Sequence, residues 1–266
     1  MKTIFITGAS SGIGKSSARL FQSKGWRVIA TMRKPEEETE LSKLRNVTIL
    51  PLDITDTKQI KSTVQSAISL GSIDVILNNA GYGLFGAMET LNDEQIVQQV
   101  NTNLLGTMRV TQAFIPYFRE RKNGMVLNIT SIAGLVAFPF SSIYHATKWG
   151  LEGWSESLSI ELAPFNIIIK TIAPGGTKTD FSGRSLDLGS DPIYDEMVQK
   201  TISGFSTPST PEEIAAVIYE ATTDGKDQLR YLAGETAEKR FNQRLELGAE
   251  NFRKEIKKWF LNLQNN

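Results

Sequence analysis

Tyr144 and Lys148 stand four residues apart in Ser142-Ile143-Tyr144-His145-Ala146-Thr147-Lys148. On a helix that spacing puts a phenol and an ammonium on one face. A free tyrosine ionises near pH ~10 and a free lysine near ~10.4, so neither alone exchanges protons at neutral pH. A cation held beside the phenol favours phenolate and brings its pKa toward the working range. The pair would then serve as proton donor and acceptor for a carbonyl/alcohol interconversion. Tyr-x-x-x-Lys also describes a surface lysine near a half-buried tyrosine, so the surrounding elements must decide.

The composition narrows the chemistry. The chain has 266 residues, enough for one substantial core, and a single domain spanning 1–266 is expected. Its 40% hydrophobic and 22% charged residues are ordinary for a soluble globular protein. Zero formal net charge argues against a nucleic-acid binder that neutralises phosphates. The absence of cysteine excludes disulfides, thiolate nucleophiles and Cys-ligated zinc. His145 is the only histidine, so a Ser-His-Asp triad can run only through it and a multi-histidine metal site cannot form within one chain. Redox chemistry must therefore use an organic cofactor with Tyr, Lys, Ser or carboxylates. Met1-Lys2 runs into Thr3-Ile4-Phe5-Ile6 and then glycine, too short for an apolar targeting core. The apolar region Met125 to Phe140 is broken by Asn128, Thr130, Ser131 and Gly134, so no membrane span is expected. A cytoplasmic location is the expectation.

The elements that must position the pair alternate along the chain. Ile4-Phe5-Ile6 predicts a buried strand, followed by Gly8, Ser10, Ser11, Gly12, Ile13 and Gly14, and then a helical pattern through Ala18, Leu20 and Phe21. Strand, glycine-rich turn and helix aim backbone N–H groups at a pyrophosphate, although Gly-x-x-x-Gly-x-Gly departs from the general Gly-x-Gly-x-x-Gly fingerprint. The next strand, Trp26 to Thr31, ends in Met32-Arg33-Lys34, two cations where a free ribose 2′-hydroxyl would call for a carboxylate. Arg33 suits a 2′-phosphate, so NADP is favoured over NAD; solvated loop cations are the alternative. Asp53 follows a third strand, Val47 to Leu50, and either meets an adenine edge or caps its loop. A fourth strand, Ile73 to Leu77, leads into Asn78-Asn79-Ala80-Gly81, small and amide residues that approach a ligand closely or simply turn.

Asn92 with Gln95 starts a helix predicted to run to Arg121 with a break or kink near Pro116, carrying Asn101 and Asn103. Val126 to Thr130 delivers Ser131 at a strand's C-terminal end, the ligand side of an open parallel sheet. The Tyr144/Lys148 helix continues to Ala163, and a strand Ile167 to Ile172 ends at Pro174-Gly175-Gly176. Residues 181–209 lose regular pattern and are expected to form a substrate loop. Thr210-Pro211-Glu212-Glu213 starts another helix, Leu229 to Ala233 another strand, and residues 236–263 a helical extension. The pattern predicts an α/β fold: one Rossmann-type, doubly wound parallel sheet with helices on both faces.

Taken in order, Thr7 to Gly14, Asp53, Asn78 to Gly81, Asn103 with Gly106, Ser131, Tyr144 with Lys148 and Pro174-Gly175 resemble the short-chain dehydrogenase/reductase family over nearly the whole chain. Ala30 to Arg33 and Gly81 to Gly86 are similar to its 17β-hydroxysteroid dehydrogenase-like and retinol dehydrogenase-like branch. The resemblance implies Tyr144 as acid/base, Lys148 lowering its pKa and holding the nicotinamide ribose, and Ser131 polarising the carbonyl. It also implies a water relay supported by Asn103, and contacts to the nicotinamide amide or phosphates from Thr177 and Thr179. An NADP(H)-dependent oxidoreductase acting on a small carbonyl/alcohol substrate follows, as a homodimer or homotetramer. Leu84, Phe85, Met88, Val136, Phe138, Phe140 and Phe181 suggest an apolar substrate pocket. Two other readings compete. A catalytically silent, dinucleotide-sensing regulator need not keep Ser131, Tyr144 and Lys148 together. A hydrolase using Ser131 and His145 lacks a nucleophile-elbow motif.

Overall fold

The computed structural model describes residues 1–178, 186–203 and 208–265. Its centre is a seven-stranded sheet ordered β3-β2-β1-β4-β6-β7-β9, with every neighbouring pair parallel. The strands are β1 (Thr3–Ile6), β2 (Arg27–Met32), β3 (Val47–Pro51), β4 (Val75–Asn78), β6 (Gly124–Ile129), β7 (Ile167–Pro174) and β9 (Arg230–Ala233). β5 (Gly83–Phe85) and β8 (Leu186–Leu188) pair in parallel as a small second sheet. The central strands are short, largely apolar runs because helices cover both faces. On one face α1 (Gly12–Ser23) and α7 (Pro211–Thr223) bury Ala18, Phe21, Ile214 and Ile218. On the other, α2 (Thr57–Ser69), α4 (Thr107–Arg121) and α5 (Ser142–Leu162) bury Val64, Phe114, Phe118 and Leu158. Fully burying one such side chain is worth roughly 1.5–3 kcal/mol.

Caps set the helix starts. Asp56 accepts from the backbone N–H groups of Lys58 and Gln59 at 2.8 and 3.0 Å to open α2. Asn92 with Gln95, before α3 (Asp93–Val100), and Thr210 with Glu213, before α7, close reciprocal capping boxes. The sheet order reverses direction between β1 and β4, so the carboxyl ends of the strands leave a crevice there.

Three local expectations are corrected. The helix does not break near Pro116, which lies inside α4; the irregular turn comes earlier, a π-helical segment at Asn101–Gly106 that joins α3 to α4. Ile54 packs so closely on Gly106 that a Cβ there would sit 2.8 Å from Ile54 Cδ1. Within 181–209, β8 and α6 (Asp195–Ser203) are regular; residues 181–185 and 204–207, Phe181 among them, lie outside the described residues. The C-terminal α8 (Glu235–Asn265) is two helices joined at Gly248, whose φ of 74° and ψ of 162° only glycine adopts readily. α8 buries Phe252 and Ile256 against Leu135 and Val136. Among the described residues no helix is long and apolar enough to cross a membrane.

Candidate active site

The crevice opens into a cleft of about 1870 Å³. The turn after β1 contributes Gly8, Ser10, Ser11, Gly12 and Ile13 to its wall. Gly8 and Gly12 have φ of 66° and 53°, and a side chain at Gly8 would run into Ala80 Cα at 2.8 Å. Ser11 caps α1 without a side-chain hydrogen bond, so its hydroxyl does not occupy the helix's first amides. Gly14, in the same motif, does not line the cleft: a Cβ there would land on Gly8 O and Asn79 Nδ2, so its part is close packing beneath the turn.

Asn79, Ala80 and Gly81 line the cleft from the end of β4. Asn79 Nδ2 donates to Thr7 O at 3.0 Å and Gly8 O at 2.9 Å. Thr7 Oγ1 accepts from the backbone N–H groups of Asn79 and Ala80 at 3.0 and 3.1 Å. The two loops are thus laced into one floor. At the end of β2, Arg33 is exposed on the cleft wall, while Lys34 turns to Glu37 at 2.8 Å. Asp53 lines the cleft and also caps its own loop, accepting from Thr55 N–H at 2.9 Å and Thr55 Oγ1 at 2.7 Å. Pro174, Gly175 and Thr177 close the wall beyond β7, with Thr177 Oγ1 donating to Gly175 O at 3.2 Å; Thr179 lies outside the described residues.

Ser131, Tyr144 and Lys148 meet at the other end. Ser131 opens a 3₁₀ turn, and its hydroxyl accepts from Ala133 N–H at 3.1 Å. The Tyr144 phenol faces that hydroxyl across the cleft wall. Lys148 Nζ donates to Ile129 O at 2.9 Å and lies 5.7 Å from the Tyr144 ring centre. Burial pushes the phenol up to about 12, with the Ser131 hydroxyl opposing. Burial likewise brings the Lys148 ammonium down to about 8, with Glu152 opposing. The expected lowering of the phenol by Lys148 is thus outweighed, because desolvation governs both groups. A phenol that stays protonated is a ready proton donor.

Asn103 is buried and does not line the cleft. Both ends of its amide bind the Tyr82 backbone, at 3.0 Å from N–H and 2.8 Å to C=O. Of the apolar side chains expected around a substrate, Phe85 and Phe138 line the cleft. Leu84 and Val136 are core, Met88 is exposed, and Phe140 packs on Tyr194 and Phe260. Glu152 carries no signal in the motif, yet it is buried one turn beyond Lys148. It accepts from Thr130 Oγ1 at 2.5 Å and from Arg230 Nε at 2.8 Å. Its only sequence trace is a carboxylate four residues after the lysine on an otherwise buried face.

The close backbone approach at Gly8, the helix end at Ser11 and the cation at Arg33 fit a dinucleotide carrying a 2′-phosphate. No group of three or more metal-ligating side chains occurs among the described residues.

Residues 2–187 match the short chain dehydrogenase family. The chain is 32% identical to human 17-beta-hydroxysteroid dehydrogenase type 1 over 255 residues, covering 87% of this chain and 77% of that one. A short-chain dehydrogenase from Streptomyces avermitilis superposes with a TM-score of 0.85 at 32% identity, over 97% of this chain and 96% of the other. Another, from Sphingobium yanoikuyae in complex with NADPH, gives a TM-score of 0.73 at 25% identity over 87% of each chain. With the sheet order, the glycine turn and the Ser131–Tyr144–Lys148 cluster, these matches make the chain a member of the short-chain dehydrogenase family.

Proposed function

We propose that this protein is an NADP(H)-dependent oxidoreductase that interconverts a ketone or aldehyde and the corresponding alcohol on a small to medium apolar substrate. The observation that carries the reading is the gathering of Ser131, Tyr144 and Lys148 on the wall of one cleft that also carries the Gly8–Ile13 turn. The NADPH bound by the Sphingobium relative and the cation at Arg33 support the phosphorylated cofactor.

The cofactor, when bound, supplies the hydride. This chain's residues do the rest. Ser131 orients and polarises the carbonyl oxygen, and Tyr144 gives that oxygen its proton. Lys148 holds the ribose and re-supplies charge near the phenol. Gly8 through Ile13, Asn79 to Gly81, Asp53 and Pro174 to Thr177 shape the nucleotide wall, with Gly14 beneath it. Asn103 acts by fixing the Tyr82 backbone, while its own carbonyl accepts from Thr107 Oγ1 at 3.1 Å.

A dinucleotide-sensing regulator has no use for a buried phenol, hydroxyl and ammonium gathered at one point. A homodimer or homotetramer fits the exposed Val97, Leu105 and Trp149 on adjoining helical segments, and a cytoplasmic setting fits a cysteine-free chain. A panel of aldehydes and ketones followed by NADPH absorbance tests the activity, with NADH in parallel. Turnover with NADPH on at least one apolar carbonyl is expected. Cofactor binding without turnover on any of them would favour the regulator.

A further inference from the structure

His145 has no step in the reaction above, yet it is the chain's only histidine and sits next to Tyr144 on α5, 7% exposed. Its ring reaches away from the helix to the segment that follows Ser131. Nδ1 lies 2.6 Å from Ala133 O, and the backbone N–H of Phe138 donates to Nε2 at 3.0 Å. A carbonyl only accepts and an amide N–H only donates, so one tautomer satisfies both: proton on Nδ1, lone pair on Nε2. An imidazolium would turn an N–H against the N–H of Phe138.

Ala133, Phe138 and His145 all line the cleft beside Ser131 and Tyr144. The far side of the segment is anchored by Leu135 and Val136 packing under α8. On the near side the Phe138 ring lies between the His145 ring and the Arg240 guanidinium, 6.0 Å from each.

We infer that His145 is a positioning residue for the substrate: its neutral Nδ1–H form ties the Ala133–Phe138 segment to the catalytic helix and holds Phe138 as the wall against which an apolar carbonyl compound lies. The substrate part rests on the function proposed above; the tether does not. Burial lowers the imidazole's ionisation from its ordinary 6.5 against the hydrogen bond to Ala133 O, and the Phe138 N–H, which only an unprotonated Nε2 can accept, acts in the same direction as burial. The charged groups around this corner are Lys148, three residues on in α5, Arg240 from α8, and Glu152, whose side chain lies against Gly134 with its carboxylate committed to Thr130 and Arg230. The segment's own contribution is backbone alone. The tie is therefore present at neutral pH and lost on acidification below the ordinary histidine range.

Because there is one histidine, imidazole-selective ¹H–¹⁵N NMR of the ligand-free protein reports it alone. The expected spectrum is the Nδ1-protonated neutral tautomer, with the Phe138 amide shifting at the same midpoint, below 6.5, on acidification. An Nε2-protonated tautomer, or a midpoint at or above 6.5 with the Phe138 amide unmoved, overturns the inference. The second arm measures NADPH oxidation with propiophenone for wild type, His145→Gln and His145→Leu, each checked by circular dichroism to be folded at the assay temperature. Gln keeps an acceptor for Phe138 N–H and does not titrate. Leu removes both ties and is expected to raise KM about tenfold with kcat within about threefold, the scale of one unsatisfied buried donor. Gln is expected to restore KM to within about threefold and to abolish the acid-side rise in KM. A wild-type KM in the Leu variant, or an acid-side rise unchanged in the Gln variant, overturns the inference. No NADPH turnover with any carbonyl, alongside the expected tautomer and coupled titration, would instead sink the reductase reading and leave the tether standing.

Discussion

Asn103 grips the Tyr82 backbone with both ends of one amide, accepting from its N–H at 3.0 Å and donating to its C=O at 2.8 Å. Gln99 Nε2 adds a second donor to the same carbonyl at 3.1 Å. The π-helical turn at Asn101–Gly106 carries the asparagine that makes this reach. Asn103→Ala leaves the Tyr82 N–H without its partner. The expected cost is about 1–3 kcal/mol. Thermal melts with and without NADPH check this: the midpoint should fall while NADPH still raises it. An unchanged midpoint would show that the grip contributes nothing.

Arg33 sits on the cleft wall where β2 ends without a carboxylate. Arg33→Ala should weaken NADPH by about 1.5–3 kcal/mol, the scale of a charge-assisted contact, and leave NADH nearly unchanged. Titrating both cofactors by fluorescence separates the cases. Equal losses for the two would place Arg33 away from the 2′-phosphate.

Lys148 combines function with a stability cost. Burial takes its ammonium from 10.5 down to about 8. The folded state therefore binds fewer protons than the unfolded chain between those two pH values, and stability rises with pH across that window. At neutral pH the full cost of the buried charge is present. Lys148→Met should stabilise the ligand-free protein by about 1–3 kcal/mol at neutral pH, less the Ile129 hydrogen bond, while abolishing turnover. The gain should shrink above about 8 and vanish near 10.5. Urea unfolding across that range measures it, and a destabilised variant at neutral pH would refute the sign.

A second buried ion pair lies outside the cleft. Lys170 Nζ donates to Asp224 Oδ1 at 2.9 Å, and Tyr231 donates to Asp224 Oδ2 at 2.6 Å. Burial opposes the Asp224 charge, but hydrogen bonds from Tyr231, Lys170 and the Lys226 backbone outweigh it and hold the carboxyl at about 2. This depressed pKa contributes stability above the unfolded value of 3.8 that is lost as pH falls toward 2. Asp224→Asn should cost about 3–5 kcal/mol at neutral pH, because it strands the Lys170 ammonium. Lys170→Met combined with Asp224→Leu should recover most of that loss. Denaturant midpoints for the single and double variants decide; additive losses would mean the pair is not coupled.

How much of this was legible in the sequence depends on the range of the interaction. Short apolar runs and glycine turns encode their own strands and bends, so β1, the Gly8–Gly14 turn and the Tyr144/Lys148 face read directly. The boxes at Asn92 and Thr210 read because both partners lie within one turn. Pro116 does not break α4, while the departure at Asn101–Gly106 answers to Tyr82 and Ile54, residues distant in sequence. Gly248 is itself the local mark of the bend, but the charged helical periodicity on either side of it runs on without interruption. The rise in the Tyr144 pKa was hidden because spacing reports which groups are neighbours, whereas desolvation depends on everything packed around them.

The most direct measurement is single-turnover NADPH oxidation by Tyr144→Phe on a carbonyl that the parent protein reduces. Phenylalanine keeps the buried ring and removes the hydroxyl that carries the proton. NADPH should bind within about threefold of the parent, while turnover falls about 10²–10⁴-fold. Turnover within about tenfold of the parent, with NADPH bound, would contradict a proton delivered by Tyr144.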